Sequence, residues 1–276
     1  VNNTYLISLV LFIFGCLFGS FLSVLVHRTL HRQKGIIFGQ SRCPKCKHRL
    51  HALDLIPILS WLFKRGRCSY CHKEISPIYP ALELISGLLF VSSYNMVMFN
   101  SNFDFFNSYL TDWMLVMKIV FLCLISLNLL IIFFSDLQKK AIPNIFLYSW
   151  IALCLLAYFL ITPWGLDQLY GKILAVLTAL LFFGGQYLFS RGKWLGSGDI
   201  YVAVGMGLLL GFPKLLIAIF LAYLTGSLIS MLLLFSKKLK AGQSVPFAPF
   251  LMIGTIISLY QGNELLSWYL NLIFLN

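Results

Sequence analysis

Residues 113–136 read WMLVMKIVFLCLISLNLLIIFFSD. Only Lys118, Ser126 and Asn128 interrupt the apolar run before it closes on Ser135-Asp136. A helix needs about 20 such residues to cross the hydrocarbon layer of a bilayer, so this stretch reads as a membrane span with a carboxylic acid at its end. Working outward, comparable runs cover about 5–26, 77–98, 145–162, 171–189, 200–212, 214–235 and 245–260. The run at 200–212 is short, carries Gly205, Gly207 and Gly211, and stops at Pro213. The expected fold is an all-α polytopic membrane protein of about eight transmembrane helices.

Composition agrees. The 276 residues are 59% hydrophobic and 11% charged, against about 25% charged in a typical soluble domain. The net charge of +12 is not spread as a nucleic-acid surface would require. It sits in loops between apolar runs, so no nucleic acid is expected and the lipid bilayer is the partner. Loop 27–76 carries Arg28, Arg32, Lys34, Arg42, Lys45, Lys47, Arg49, Lys64, Arg65, Arg67 and Lys73. Alternate loops continue with Lys139 and Lys140, Arg191 and Lys193, then Lys237, Lys238 and Lys240. The opposite loops 99–112, 163–170 and 261–267 contain neither Lys nor Arg. Positive loops stay cytoplasmic, which puts both chain ends outside. The first run, Tyr5 to Val26, lacks a basic leading segment and reads as a retained span rather than a cleaved signal. The chain then divides into a first transmembrane helix at 1–26, a cytoplasmic loop at 27–76 and a membrane-embedded domain at 77–276.

The cytoplasmic loop holds Cys43-Pro44-Lys45-Cys46 and Cys68-Ser69-Tyr70-Cys71. Each CxxC pair can grip one metal from a tight turn, and four thiolates complete the tetrahedron of a closed structural zinc site. Cys43, Cys46, Cys68 and Cys71 are therefore the expected ligands. The five histidines, His27, His31, His48, His51 and His72, cluster nearby and are read as surrounding rather than coordinating. Cys16, Cys123 and Cys154 lie in apolar runs and behave as small hydrophobes. Asp54 and Glu74 are expected to pair with the loop's many bases. The apolar stretch Leu55 to Phe63 is either the small core of this module or a surface docked on the membrane.

Of the nine acids, seven remain to be sorted. Asp104, Asp112, Asp167 and Glu264 fall in outside loops. Asp136 ends the third span and Asp199 starts the sixth, both at the cytoplasmic face, with a simple hairpin between. Singly, Asp136 reads as an interfacial partner of Lys139 or Lys140, and Asp199 as a helix N-cap. Together, at membrane depth, they read as a catalytic pair, because two adjacent carboxyls can share a proton and activate a water. Gly196 and Gly198, flanking Ser197 before Asp199, would let a substrate backbone come close. Glu83, two turns into the second span, reads as a polar helix contact or partner of a loop arginine, with an active-site role as the sharper alternative.

These blocks, in order, resemble the type IV prepilin peptidases, bacterial GxGD aspartic proteases. Gly19-Ser20-Phe21-Leu22 with Arg28 is similar to the family's N-terminal segment. The two CxxC pairs, Ile56-Pro57-Ile58-Leu59-Ser60-Trp61 and Tyr79-Pro80-Ala81-Leu82-Glu83-Leu84 resemble its zinc loop and the entry to the second span. Asp136 with Ile142-Pro143-Asn144, Gly196-Ser197-Gly198-Asp199, and Pro246-Phe247-Ala248-Pro249-Phe250 complete the set. Ser23 and Ala248 depart from the commoner Asn and Gly. The resemblance implies an aspartic endopeptidase of the bacterial inner membrane. It would remove the short basic leader of prepilins or pseudopilins, serving pili, competence or type II secretion, on the cytoplasmic side. It also implies methylation of the new N-terminus with S-adenosylmethionine. An intramembrane protease of the presenilin type is disfavoured by the zinc loop. The alternative from another class is a multi-pass transporter or channel with a zinc-stabilised cytoplasmic domain, its acids binding ions.

Overall fold

The computed structural model describes residues 2–31, 40–43, 45–99, 112–161, 166–237 and 245–274. Arg32, Lys34, Pro44, Asp104, Lys238 and Lys240, singled out above, lie outside that set. Among the described residues are α1 (Asn2–Leu30), α2 (Leu59–Phe63), α3 (Ile78–Phe99), α4 (Asp112–Lys139), α5 (Asn144–Ile161), α6 (Leu166–Ser190), α7 (Ser197–Leu210), α8 (Lys214–Phe235) and α9 (Ala248–Phe274), with a 3₁₀ turn at Ala52–Leu55. Five segments are long and apolar enough to cross a membrane: Thr4–Leu30, Ile78–Met98, Trp113–Lys139, Leu166–Ser190 and Lys214–Phe235. Asn144–Leu160 and Ser197–Leu210 are apolar but shorter. The chain is an all-α polytopic membrane protein.

The expected eighth span lies inside α9, which runs on to Phe274. Its apolar first half gives way at Gln261-Gly262-Asn263-Glu264, so the 27-residue helix is not among the five. The stretch 261–267 is therefore helix rather than loop, and Glu264 with it. Asp167 likewise belongs to the first turn of α6, where an acid suits the helix dipole. The stretch Leu55 to Phe63 is not a core either: neither the 3₁₀ turn nor α2 contains a buried residue.

The described residues sort into two compact units. The first holds α1, the loop module, α3 and Leu115–Ile131 of α4. Here α1 lies against α3 because small residues meet. A Cβ on Gly15 would stand 2.7 Å from Gly87 Cα, and one on Gly19 would stand 2.9 Å from Glu83 Cα. Backbones that touch gain the dispersion contacts that hold helices together in lipid, where burial alone gives no driving force.

The second unit holds the rest of α4 and α5 to α9. At its centre is α7, a 14-residue helix held from two neighbours. Trp150 of α5 is fully buried, and its indole N–H donates to Val202 O at 3.1 Å. The indole fills the space a Cβ on Gly205 would need. At the other end the carbonyls of α7 run out of helical donors. The buried Lys172 of α6 supplies one, donating from Nζ to Leu209 O at 2.6 Å. Gly211, with φ of 72°, turns the chain away, and the Phe212 N–H bonds Gly171 O at 3.0 Å.

Gly205→Val would drive a branched side chain into the Trp150 indole. Overpacking of this kind costs about 1–3 kcal/mol. The expected outcome is a lower thermal unfolding midpoint in detergent than that of the parent chain.

Candidate active site and metal centre

Asp136 sits in the last turn of α4, at 7% exposure, and its Oδ2 accepts the backbone N–H of Ala248 at 3.1 Å. Ala248 opens α9, so the carboxylate faces the electropositive end of that helix. Lys140 is close enough to act on it electrostatically. Asp199 lies in the first turn of α7, at 8% exposure, and its Oδ2 accepts the Gly196 N–H at 3.1 Å. The N-cap is Gly196, and Asp199 occupies the third helical position, reaching back as the acid of a capping box does. Both acids belong to the second unit. The charge on Asp136 acts on Asp199.

Neighbours that the sequence did not single out complete the surroundings. Tyr223 of α8 donates its hydroxyl to Gln186 Oε1 of α6 at 2.7 Å and feels the charge of Asp199. Its ring packs on Phe247 with centroids 5.1 Å apart, and Phe247 in turn lies 6.4 Å from Phe183. The site thus pairs two carboxylates with an aromatic wall. Only the segment Pro246 to Phe250, through its place in the ordered motifs, pointed at any of this.

Glu83 belongs to the first unit and is buried in α3. Its Oε2 accepts the Ile58 N–H at 2.7 Å, and the Ser20 hydroxyl bonds the same carboxylate. Ile58 is unusual. Its φ of 60° and ψ of −55°, with the Leu59 N–H bonded to Pro57 O, make a γ-turn of the strained hand. A β-branched residue adopts such a backbone only where its surroundings enforce it. Glu83 also lines a cavity of about 560 Å³, together with Ser20, His27, Arg28, Trp61 and Tyr79 among others. That size is ordinary for a small-molecule site, about 300–1,000 Å³.

The four loop cysteines converge. The sulfurs of Cys43, Cys46, Cys68 and Cys71 all lie within 4.8 Å of one another, with Cys43 and Cys71 at 4.0 Å. Four thiolates at about 2.3 Å from one ion would stand at comparable spacing, so the donor set fits tetrahedral zinc. Two knuckles of like backbone build it. The Lys47 N–H bonds Cys43 O and the His72 N–H bonds Cys68 O, both at 2.9 Å, with Lys47 and His72 each at positive φ. The rungs Arg42–Arg49 and Arg67–Glu74 close the two knuckles. Burial opposes the Cys43 thiolate, but the N–H groups of Cys46 and Lys45 and the thiols of Cys46 and Cys68 bring it down to about 7. Beside it the module is braced by an ion pair between Lys64 and Asp54. The ammonium holds the Asp54 carboxyl below its ordinary range against desolvation, helped by the His51 N–H.

Comparison with known proteins agrees with this anatomy. Residues 13–97 match the bacterial peptidase A24 N-terminal domain, and residues 122–231 match the type IV leader peptidase family. The chain is 33% identical over 264 residues to a prepilin leader peptidase/N-methyltransferase of Bacillus subtilis (strain 168), spanning 95% of this chain and 98% of that protein. It is 27% identical over 290 residues to the protein of that name from Aeromonas salmonicida (strain A449), at 95% and 93% coverage. With that of Stutzerimonas stutzeri it shares 26% identity over 293 residues, at 98% and 96% coverage. No solved structure matches. The chain belongs to the type IV leader peptidase family, a family of membrane peptidases.

Proposed function

We propose that the chain is an aspartic leader peptidase whose catalytic pair is Asp136 and Asp199, acting at the cytoplasmic face of the bacterial inner membrane. The observation that carries this is that two buried acids of one compact unit, at the end of α4 and the start of α7, each accept a backbone N–H at Oδ2. Each tie engages Oδ2 of its carboxyl, and the reaction needs a water at the pair. One carboxylate takes a proton from that water as its oxygen attacks the scissile carbonyl carbon. The partner, protonated, hydrogen-bonds the developing oxyanion, and a proton then passes to the leaving amine as the C–N bond breaks. Roles within the pair are exchangeable, because such acids titrate as a unit. Family membership weighs against the transporter or channel alternative.

The substrate class is a prepilin or pseudopilin with a short basic leader, as the names of the relatives suggest. The cytoplasmic orientation is supported by the loop cations, and by the burial of Lys118 and Lys172, two of the three lysines near the opposite face. The division into a first span at 1–26, a zinc-binding loop at 27–76 and a peptidase domain at 77–276 is part of the same proposal, as is the count of eight spans. Gly196 and Gly198 keep the approach to Asp199 uncovered. Zinc, held by Cys43, Cys46, Cys68 and Cys71, would be structural, since a closed thiolate site offers no open position.

The relatives are also called N-methyltransferases, and the first unit has a cavity to match. S-adenosylmethionine supplies a methyl group on a sulfonium when bound. Glu83 offers a carboxylate to that cation, Arg28 a guanidinium to the amino-acid carboxylate, and Trp61 and Tyr79 offer aromatic faces to the base.

Four outcomes are expected. Asp136→Asn and Asp199→Asn each lower cleavage of a co-expressed prepilin by on the order of 10²–10⁴-fold or more, the usual worth of acid–base catalysis. Leader removal on a gel reads this, and normal cleavage by either variant would falsify the pair. Cys43→Ser lowers bound zinc measured by plasma mass spectrometry. In the parent chain zinc affinity falls as pH falls, since protons compete for the thiolates, and the Cys43 proton adds to that competition below about 7. Glu83→Gln loses binding of radiolabelled S-adenosylmethionine and methylation of the mature terminus while cleavage and zinc content persist. Unchanged methylation would exclude the cavity.

A further inference from the structure

The short helix α2 is turned inside out. Leu59, Leu62 and Phe63 stand at i, i+3 and i+4 and so share one face. They are 51%, 56% and 83% exposed. Leu53, in the preceding turn, is 76% exposed, and Ile56 is exposed beside it. The other side of the helix, Ser60 and Trp61, lines the cavity, and the Trp61 indole N–H is fixed to Ile75 O at 3.1 Å. A soluble module would turn the leucines in. This one holds them out on a braced scaffold.

The chain turns basic directly after Phe63. Lys64, Arg65, Arg67 and His72, with Ser69, line a groove of about 400 Å³. Apolar side chains followed at once by a cationic groove are the two halves of an interfacial membrane anchor: hydrocarbon below, phosphate above. The module is bounded by α1, ending at Leu30, and α3, beginning at Ile78, both membrane-crossing candidates. It is therefore tethered at both ends within reach of headgroups.

We propose that the face formed by Leu53, Ile56, Leu59, Leu62 and Phe63 inserts into the headgroup region of the bilayer, with Arg65 and Arg67 engaging anionic phospholipid. The apolar segment of a substrate is the rival occupant. The groove argues against it, because a basic leader arriving beside that segment meets like charge, whereas phosphatidylglycerol meets its complement. The site is distinct from the acid pair and stands without the catalytic reading.

The test uses the full chain in nanodiscs, with Phe63→p-benzoylphenylalanine irradiated and the adducts weighed. Phospholipid adducts are expected, with phosphatidylglycerol over-represented relative to phosphatidylcholine by at least about fivefold, one cation's attraction to an anionic surface. Arg65→Glu combined with Arg67→Glu abolishes that preference and leaves adducts to phosphatidylcholine. Hydrogen exchange on the unsubstituted chain, which risks no misfolding, is expected to be slower at Leu59 to Phe63 in phosphatidylglycerol discs than in phosphatidylcholine discs. Overturning results are an adduct to the chain itself or to a co-reconstituted prepilin in place of lipid, no adduct, no anionic preference, or equal exchange in both discs.

Discussion

A carboxylate drawn largely out of water must be given hydrogen-bond donors, and in the second unit backbone N–H groups supply them. Such donors cost nothing in side-chain entropy and cannot rotate away. Asp136 takes the first N–H of α9, a contact across 112 residues of sequence. Asp199 takes the N-cap N–H of its own helix. Both carboxylates therefore meet helix N-termini, Asp199 that of its own helix and Asp136, from the end of α4, that of α9, where orphan amides and the helix dipole favour negative charge. The rest of the unit follows from that arrangement. A capped helix end is useful only if the helix itself is fixed. Trp150 fixes α7 at Val202 and Gly205, and Lys172 fixes it at Leu209.

The first unit answers a different problem. Loop 27–76 is too short to fold on apolar burial alone, and among its described residues Leu53, Leu55, Ile56, Leu59, Leu62 and Phe63 are exposed. Cys43 and Cys68 are buried, and Trp61 covers Gly66, where a Cβ would stand 2.9 Å from the ring. Four convergent thiols give such a module a candidate metal crosslink in place of a core. The Ile58 turn, held by Glu83, joins this piece to α3. One carboxylate thereby links the strained turn, the cavity wall and the membrane helix.

Most of the helices were legible because hydrophobic runs of helix length have few other solutions in a bilayer. The expected run 214–235 coincides with α8, and 77–98 with α3 to within a residue. Reading failed where polarity was taken for loop. Gln261 to Glu264 interrupt hydropathy but not backbone hydrogen bonding, so α9 continues through them. The convergence of the four thiols was legible from spacing, since CxxC is a local geometry. The partners of the acids were not. An N–H belongs to every residue but proline, so no residue type marks Ala248 as the donor. The role of Asp199 within its helix was off by the width of a turn for a similar reason. Either a glycine or an aspartate can cap, and only the backbone tells which does.

The glycines before Asp199 carry the last step. Their usual excuse is a backbone no other residue can adopt. Gly196 has φ of −77°, and the glycines at positive φ among the described residues are Gly66, Gly192 and Gly211, not Gly198. Nor does the chain itself crowd the second position: a Cβ on Gly198 would meet Ile142 at 3.6 Å, an ordinary contact. Glycine within a helix gives up about 0.5–1 kcal/mol relative to alanine. At Gly198 neither conformation nor packing recovers that loss. A Cβ on Gly196 would stand 3.4 Å from Asp199 Oδ2, crowding the one oxygen the helix cap already holds. The two glycines thus differ in what they face: a side chain at Gly198 would turn toward the chain's own Ile142 and Leu147, whereas one at Gly196 would turn toward the carboxylate.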